Sequence, residues 1–161
     1  MPDNDVIALL ERDHREVESL FSQLESTSDP GQRADLLSEI TTELTIHAAA
    51  EEKHVYPRLR ELSEEGSELR DHAIGEHRDM NEHLAEINQI DPADPRFASV
   101  LQQLKESVEH HVEEEEADVF PFLRDKLSDR ELTDLADTVQ RSKDQKPEPP
   151  DSKVEGVPPP E

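Results

Sequence analysis

The strongest constraint on what this chain can fold into is a self-match at an offset of 64 residues. The segment His47 to Arg60, HAAAEEKHVYPRLR, aligns with His111 to Arg124, HVEEEEADVFPFLR, and seven of the fourteen positions are identical: His, Glu, Glu, Val, Pro, Leu and Arg. A weaker match at an offset of 63 sets Asp13-His14-Arg15-Glu16 against Glu76-His77-Arg78-Asp79. The chain therefore reads as two related halves. Each carries one His on a first segment and a His-x-x-x-Glu pair on a second.

The period of the apolar residues says what those segments are. Val6/Ile7, Leu10, Val17, Phe21 and Leu24 recur at three- and four-residue spacing, which predicts a first helix from about Asp5 to Ser26. Asp29-Pro30 supplies an N-cap followed by Pro at the first helical position. It opens a second helix carrying Leu37, Ile40, Leu44, Val55 and Leu59 to about Leu62. Gly66-Ser67 reads as punctuation before a third helix with Leu69, Ala73, Met80, Leu84 and Ile87. Asp94-Pro95 repeats the cap-plus-proline signal before a fourth, with Phe97, Leu101, Leu104, Val108, Val119 and Phe122. Ser128-Asp129-Arg130-Glu131 has the form of a capping box for a short fifth helix to about Gln140. Pro57 and Pro121 each remove a backbone donor and are expected to kink or end their helices.

Long helices joined by short loops favour antiparallel neighbours. The expected fold class is all-α: an up-down-up-down four-helix bundle with a short fifth helix, over residues 1–141. Residues 142–161 hold six of the twelve prolines and are expected to form a disordered, acidic tail.

Polar residues interrupt the apolar stripes in register. At about 100° per residue, the second helix runs Ile40, Leu44, His47, Glu51 along one face, and the fourth runs Leu104, Val108, His111, Glu115. The first passes Leu10, His14, Val17, and the third passes Ala73, His77, Met80. Four imidazoles and two carboxylates thus converge in one core with no evident cationic partner. Burying an unpaired carboxylate is costly, and a pair of metal cations would offset it. With no cysteine in the chain, disulfides and thiolate chemistry are excluded. A site of His N and carboxylate O alone favours iron, manganese or zinc over softer metals. Four nitrogens and two bridging carboxylates leave open positions on a dinuclear site, where a small molecule such as O2, peroxide or NO would bind.

These residues resemble the hemerythrin-like (HHE) family, whose pattern H…HxxxE…H…HxxxE is matched by His14, His47/Glu51, His77 and His111/Glu115. The EExxxYP-like segments, Glu51 to Pro57 and Glu115 to Pro121, are similar to it as well. The resemblance covers roughly residues 5 to 125. It implies an antiparallel four-helix bundle holding two iron ions, bridged by carboxylate and oxo or hydroxo groups. The sequence departs from the invertebrate oxygen carriers of the family, which have an HxxxH on the third helix and end in HxxxxD. Here the positions four residues either side of His77 are Ala73 and Asn81, and the last carboxylate is Glu115. It looks more like the bacterial HHE group, to which peroxide or NO handling, oxygen or iron sensing and iron-related roles are ascribed. A catalase- or peroxidase-like activity fits that group.

Other polar residues receive plainer expectations. His54 lies two turns after His47 and His83 borders the core face of the third helix, so both are additional candidate ligands. His72/Glu76 and His110/Glu114 read as i,i+4 surface pairs. Glu113, Glu114 and Glu116 are expected to face solvent, and Tyr56 to pack. Glu11-x-x-His14 and Glu51-x-x-His54 also fit the ExxH pattern of ferritin-like di-iron oxidases, which keeps that alternative open beside a metal-free structural bundle.

A net charge of −24 repels nucleic-acid phosphates and anionic membrane surfaces. The acidic N-terminus has no signal-peptide pattern, and no run approaches the ~18 apolar residues of a membrane span. Cytoplasmic location is the expectation.

Overall fold

The structure, a computed structural model, describes residues 4–145. Among the described residues it is helical throughout, with α1 Val6–Ser26, α2 Pro30–Ala50, α3 Tyr56–Leu62, α4 Glu64–Ile87, α5 Phe97–Glu114, α6 Phe120–Lys126 and α7 Asp129–Asp144. A π-helical turn, Glu51–Val55, joins α2 to α3, and a second, Glu115–Val119, joins α5 to α6. Four long antiparallel helices result: α1, α2 through α3, α4, and α5 through α6. No helix among the described residues is long and apolar enough to cross a membrane.

Local chemistry sets most of the helix starts. Asp5 caps α1 by accepting from the Ala8 N–H at 2.9 Å, and its other oxygen takes the Arg124 guanidinium at 3.0 Å, so this fully buried carboxylate is paired. Asp29 caps α2 by accepting from the Gln32 N–H at 2.9 Å, with Pro30 in the first turn. Ser128 and Glu131 form the reciprocal capping box of α7.

Three expectations shift. The break before α4 falls at Ser63, whose hydroxyl accepts from the Gly66 N–H. Gly66 lies inside the first turn, where a Cβ would stand 2.0 Å from the Leu59 carbonyl oxygen; it is there for close approach of two backbones, not to end a helix. Asp94 makes a turn, accepting from the Arg96 N–H, and α5 starts at Phe97 without a side-chain cap. Finally, α7 runs to Asp144, past the expected Gln140, so residues 142–144 belong to it; the rest of the expected tail, from residue 146, lies outside the described residues.

Pro57 and Pro121 do not end their helices. A proline ring clashes with the carbonyl four residues back and leaves it without a donor. The chain instead opens to i→i−5 bonding just ahead of each proline: the Tyr56 N–H donates to the Glu51 carbonyl and the Phe120 N–H to the Glu115 carbonyl. The wider turn brings Val55 and Tyr56, and Val119 and Phe120, inward as adjacent buried pairs.

The apolar core is cut in two. One cluster lies at the end where α7 packs and includes Ile7, Leu10, Leu59, Leu123 and Leu132. The other fills the opposite end with Phe21, Leu24, Ile40, Ile87, Phe97 and Leu104. Each such fully buried side chain contributes roughly 1.5–3 kcal/mol. Between the clusters lies a buried belt of His14, His47, Glu51, His77, His111 and Glu115.

Candidate metal centre

Each half of the repeat brings two imidazoles together. His14 and His47, from α1 and α2, have ring centroids 5.1 Å apart; His77 and His111, from α4 and α5, are 4.7 Å apart. The two carboxylates lie between these pairs. His14 Nε2 is 3.1 Å from Glu115 Oε1, His47 Nε2 is 3.2 Å from Glu51 Oε2, and His77 Nε2 is 3.1 Å from Glu51 Oε1. His111 Nε2 stands 3.7 Å from Glu115 Oε2 and 4.0 Å from Glu51 Oε1. The donors form two groups of metal-binding size: His14, His47, Glu51 and Glu115, and then Glu51, His77 and His111. Glu51 belongs to both, so the arrangement suits two metals sharing a carboxylate.

The outward-facing nitrogens are held with equal regularity. His14 Nδ1 meets Glu116 at 2.8 Å, His47 Nδ1 meets Asp13 at 2.9 Å, His77 Nδ1 meets Glu52 at 2.7 Å and His111 Nδ1 meets Glu76 at 2.8 Å. A carboxylate accepts only from an N–H, so every Nδ1 carries its proton. In the neutral ring the Nε2 lone pair then points to the centre. This carboxylate–histidine arrangement orients an imidazole for a metal.

The inner atoms fit a metal better than they fit one another. Two donors bound cis to one metal at ~2.1 Å stand about 3 Å apart, close to the 3.1 and 3.2 Å observed. His47 Nε2, His111 Nε2 and Glu51 Oε2 are buried with no hydrogen-bond partner. Buried polar atoms are rarely left so. Tyr56 adds to the imbalance: its hydroxyl has one proton but stands 2.9 Å from Glu51 Oε1 and 2.8 Å from Glu115 Oε2.

Without metal, protons carry the compensating charge. Burial disfavours a charged His47, yet the Glu51 carboxylate and the bond to Asp13 overcome it and hold its pKa well above the imidazole range. In His77 burial is likewise outweighed by Glu51 and Glu52, raising it to about 9. Burial pushes Glu51 up, but His47 and His77 draw it well below the usual carboxylate range. Burial, then the charges of Glu51 and Glu115, push the Tyr56 phenol well up, so it stays protonated.

All six core residues read from the stripes meet in this belt. The two additional candidates do not: His54 and His83 are half-buried and belong to neither group. Glu11 is exposed, so the ExxH pairs are not assembled here. Tyr56, expected to pack, instead puts its hydroxyl at the middle of the centre. Glu116, expected in solvent, holds His14 and also pairs with Arg15, while Glu114 joins His72 and His110. Sequence reasoning also missed Asp13, Glu52 and Glu76. The signal was present in the repeat, where an acidic residue precedes His14 and His77 and a second Glu follows Glu51 and Glu115. Lys143 of α7 clamps Asp13 at 2.6 and 2.7 Å, linking the last helix to His47.

Comparison with known proteins bears on the fold and the family. A protein from Schizosaccharomyces pombe described as hemerythrin-like is 31% identical over 133 residues, 82% of this chain and 66% of that one. A protein from Nostoc sp. described as a DNA nickase is 33% identical over 143 residues, 88% of this chain and 40% of that one. The chain thus spans less than two thirds of the length of either relative. The crystal structure of a hemerythrin HHE cation-binding domain protein from Mycobacterium kansasii shares the fold, with a TM-score of 0.79 at 24% identity, over 88% of this chain and 86% of that one. Residues 5–123 match the hemerythrin HHE cation-binding domain itself, and the chain belongs to that family.

Proposed function

We propose that this protein holds two iron ions in the buried belt and binds or reacts with O2, peroxide or NO there. The observation that carries the reading is the convergence of four imidazole Nε2 atoms, each fixed by a carboxylate at its Nδ1, on two buried carboxylates, with His47 Nε2, His111 Nε2 and Glu51 Oε2 left without a hydrogen-bond partner. His14, His47, Glu51 and Glu115 would hold one ion, and His77 and His111 with the shared Glu51 the other. Iron in such a site supplies redox change and open coordination positions.

The protein's own residues would do the rest. Asp13, Glu52, Glu76 and Glu116 keep the four rings oriented. Tyr56 holds a proton at Oη, between the two carboxylates, and is a hydrogen-bond donor at the middle of the centre. Val17, Leu44, Met80, Val108 and Val112 line a small apolar pocket against His14, His47 and His111. A surface groove with apolar walls from Val17, Phe21, Val108 and Val112 and a polar rim of Glu18, Lys105 and Glu109 adjoins it and reaches His14. The small apolar inner pocket suits a small uncharged molecule.

The test is metal content and the visible spectrum of protein purified from iron-replete cells, beside the His47→Ala/His111→Ala variant. Roughly two irons per chain, with a charge-transfer band lost in the variant, is the expected result. A native protein without bound metal, and a variant equally stable, would leave a structural bundle. Iron-loaded protein inert to O2, peroxide and NO alike would leave metal binding without the proposed chemistry. DNA nicking is named only for the Nostoc relative, and a chain of net charge −24 is poorly suited to approach DNA. Conversion of supercoiled plasmid by the iron-loaded protein would reverse that judgement.

A further inference from the structure

The two halves of the bundle differ on one face. In the first half, Leu9, Asp13, Ile46 and Ala50 lie under α7, which packs on α1 and α2 and covers Leu9, Ile46 and Ala50 as buried apolar positions. Asp13 needs a cation there and receives the Lys143 ammonium. The repeat offsets place His72, Glu76, His110 and Glu114 at the equivalent positions of the second half. Among the described residues no helix covers them. Glu76 holds His111 at Nδ1 as Asp13 holds His47, but among the described residues no lysine or arginine is seen on it.

What stands in the lysine's place is a set of four donors from two helices. His72 Nε2 lies 2.5 Å from Glu114 Oε1 and 3.2 Å from Glu76 Oε2, and His110 Nε2 lies 3.0 Å from Glu114 Oε2 and 3.3 Å from Glu76 Oε2. Both carboxylates therefore face the same two nitrogens. Glu76 Oε2 is buried and makes no hydrogen bond, although both imidazole nitrogens are near it. Surface i,i+4 pairing would link each His to the Glu of its own helix; here both also reach the Glu of the other. The atoms of His72, Glu76 and Glu114 are grouped closely enough to bind one ion. Around a tetrahedral ion with ~2.1 Å bonds, donors stand about 3.4 Å apart, so a slight opening of the cluster would admit one. A cleft lined by His72, Glu76 and Glu114 also meets His111 and Glu115 of the buried centre.

We propose that His72, Glu76, His110 and Glu114 form a third cation site, which takes a divalent ion of the Fe2+ or Zn2+ class at the surface and loads the buried centre through the cleft. The ion occupies the place that Lys143 fills in the other half. Binding at the surface requires no particular occupant of the buried centre; the loading role rests on the function proposed above.

The full-length protein and its His72→Ala/His110→Ala variant test both parts. Neither imidazole reaches the buried centre, and each is 61% exposed, so the variant keeps its fold. Zn2+ is titrated calorimetrically into each protein as purified. The wild type is expected to take one more ion per chain than the variant, with equal melting temperatures; equal Zn2+ uptake overturns the site. Stripped of metal and mixed with Co2+ in a stopped-flow spectrometer, the variant is expected to fill its buried centre at least ~10-fold more slowly, to the same final absorbance. Equal rates overturn the loading role. Failure of both proteins to take Co2+ into the buried centre overturns the proposed function and the loading role with it, while the Zn2+ difference still reports on the surface site.

Discussion

Stripping the metal should make the stability of this protein depend on pH in the range where most proteins are indifferent to it. In the metal-free form, protonated imidazoles balance the buried carboxylates. His77 is raised from 6.5 to about 9 and is almost fully buried. Its folded pKa exceeds its unfolded value, so its contribution is complete below pH 6.5 and disappears as pH rises to about 9. At about 1.36 kcal/mol per pH unit, the loss is about 3 kcal/mol. That is a large part of the 5–15 kcal/mol that typically separates folded from unfolded chains. His47 shifts in the same direction, but it shares Glu51 with His77 and the two do not simply add. Glu51, held below the carboxylate range, acts on the other side, its contribution fading as pH falls through acid values. Urea unfolding of the metal-free protein at pH 6.5, 7.5 and 9 should show the decline, and the metal-loaded protein should show little of it because metal has already replaced the protons. A flat profile for the metal-free form over this range would refute the charge assignment.

Further changes probe the supports of the centre. Lys143→Met removes the ammonium from Asp13 and loosens His47; metal affinity should fall roughly 10- to 100-fold in chelator competition, and an unchanged value would mean α7 has no hold on the centre. Tyr56→Phe takes a donor from Glu51 and Glu115, and the metal-free variant should lose about 1–3 kcal/mol by thermal unfolding. Gly66→Ala forces a methyl against the Leu59 carbonyl and should cost about 1–3 kcal/mol. Gly75→Ala, in a mid-helix position with nothing within 4 Å of the added Cβ, should gain up to about 1 kcal/mol. The same stability for both glycine variants would contradict the account of Gly66.

The sequence made the bundle and its inner residues legible because both obey a single period. His47 and Glu51, like His111 and Glu115, are one turn apart on an apolar stripe, so their meeting needs only helical geometry. Asp29 and Ser128 announce helix starts by a bond to a backbone three residues away. What stayed hidden depends on contacts between helices. Asp13 and Glu52 lie off the stripe, and only a partner from another helix reveals that they face inward. Tyr56 follows Glu51 by five residues, which a regular α-helix would turn away from the centre; the π turn brings it round. Gly66 was misread because its role lies in the nearness of another backbone, which no local pattern records.

The paired π turns also carry a history. Each accommodates one residue beyond the α-helical repeat, and they occupy matching places, Glu51–Val55 and Glu115–Val119. An insertion shared at the same point of both halves is most simply older than the duplication that made two halves of one. A hairpin of that kind would have borne its widened turn, two imidazoles and one inner carboxylate. Alone it lacked the second carboxylate, so a complete centre required two copies to assemble face to face. On this view the present chain is a tethered dimer. Among the described residues α7 packs chiefly on the first half, and that makes the two faces different.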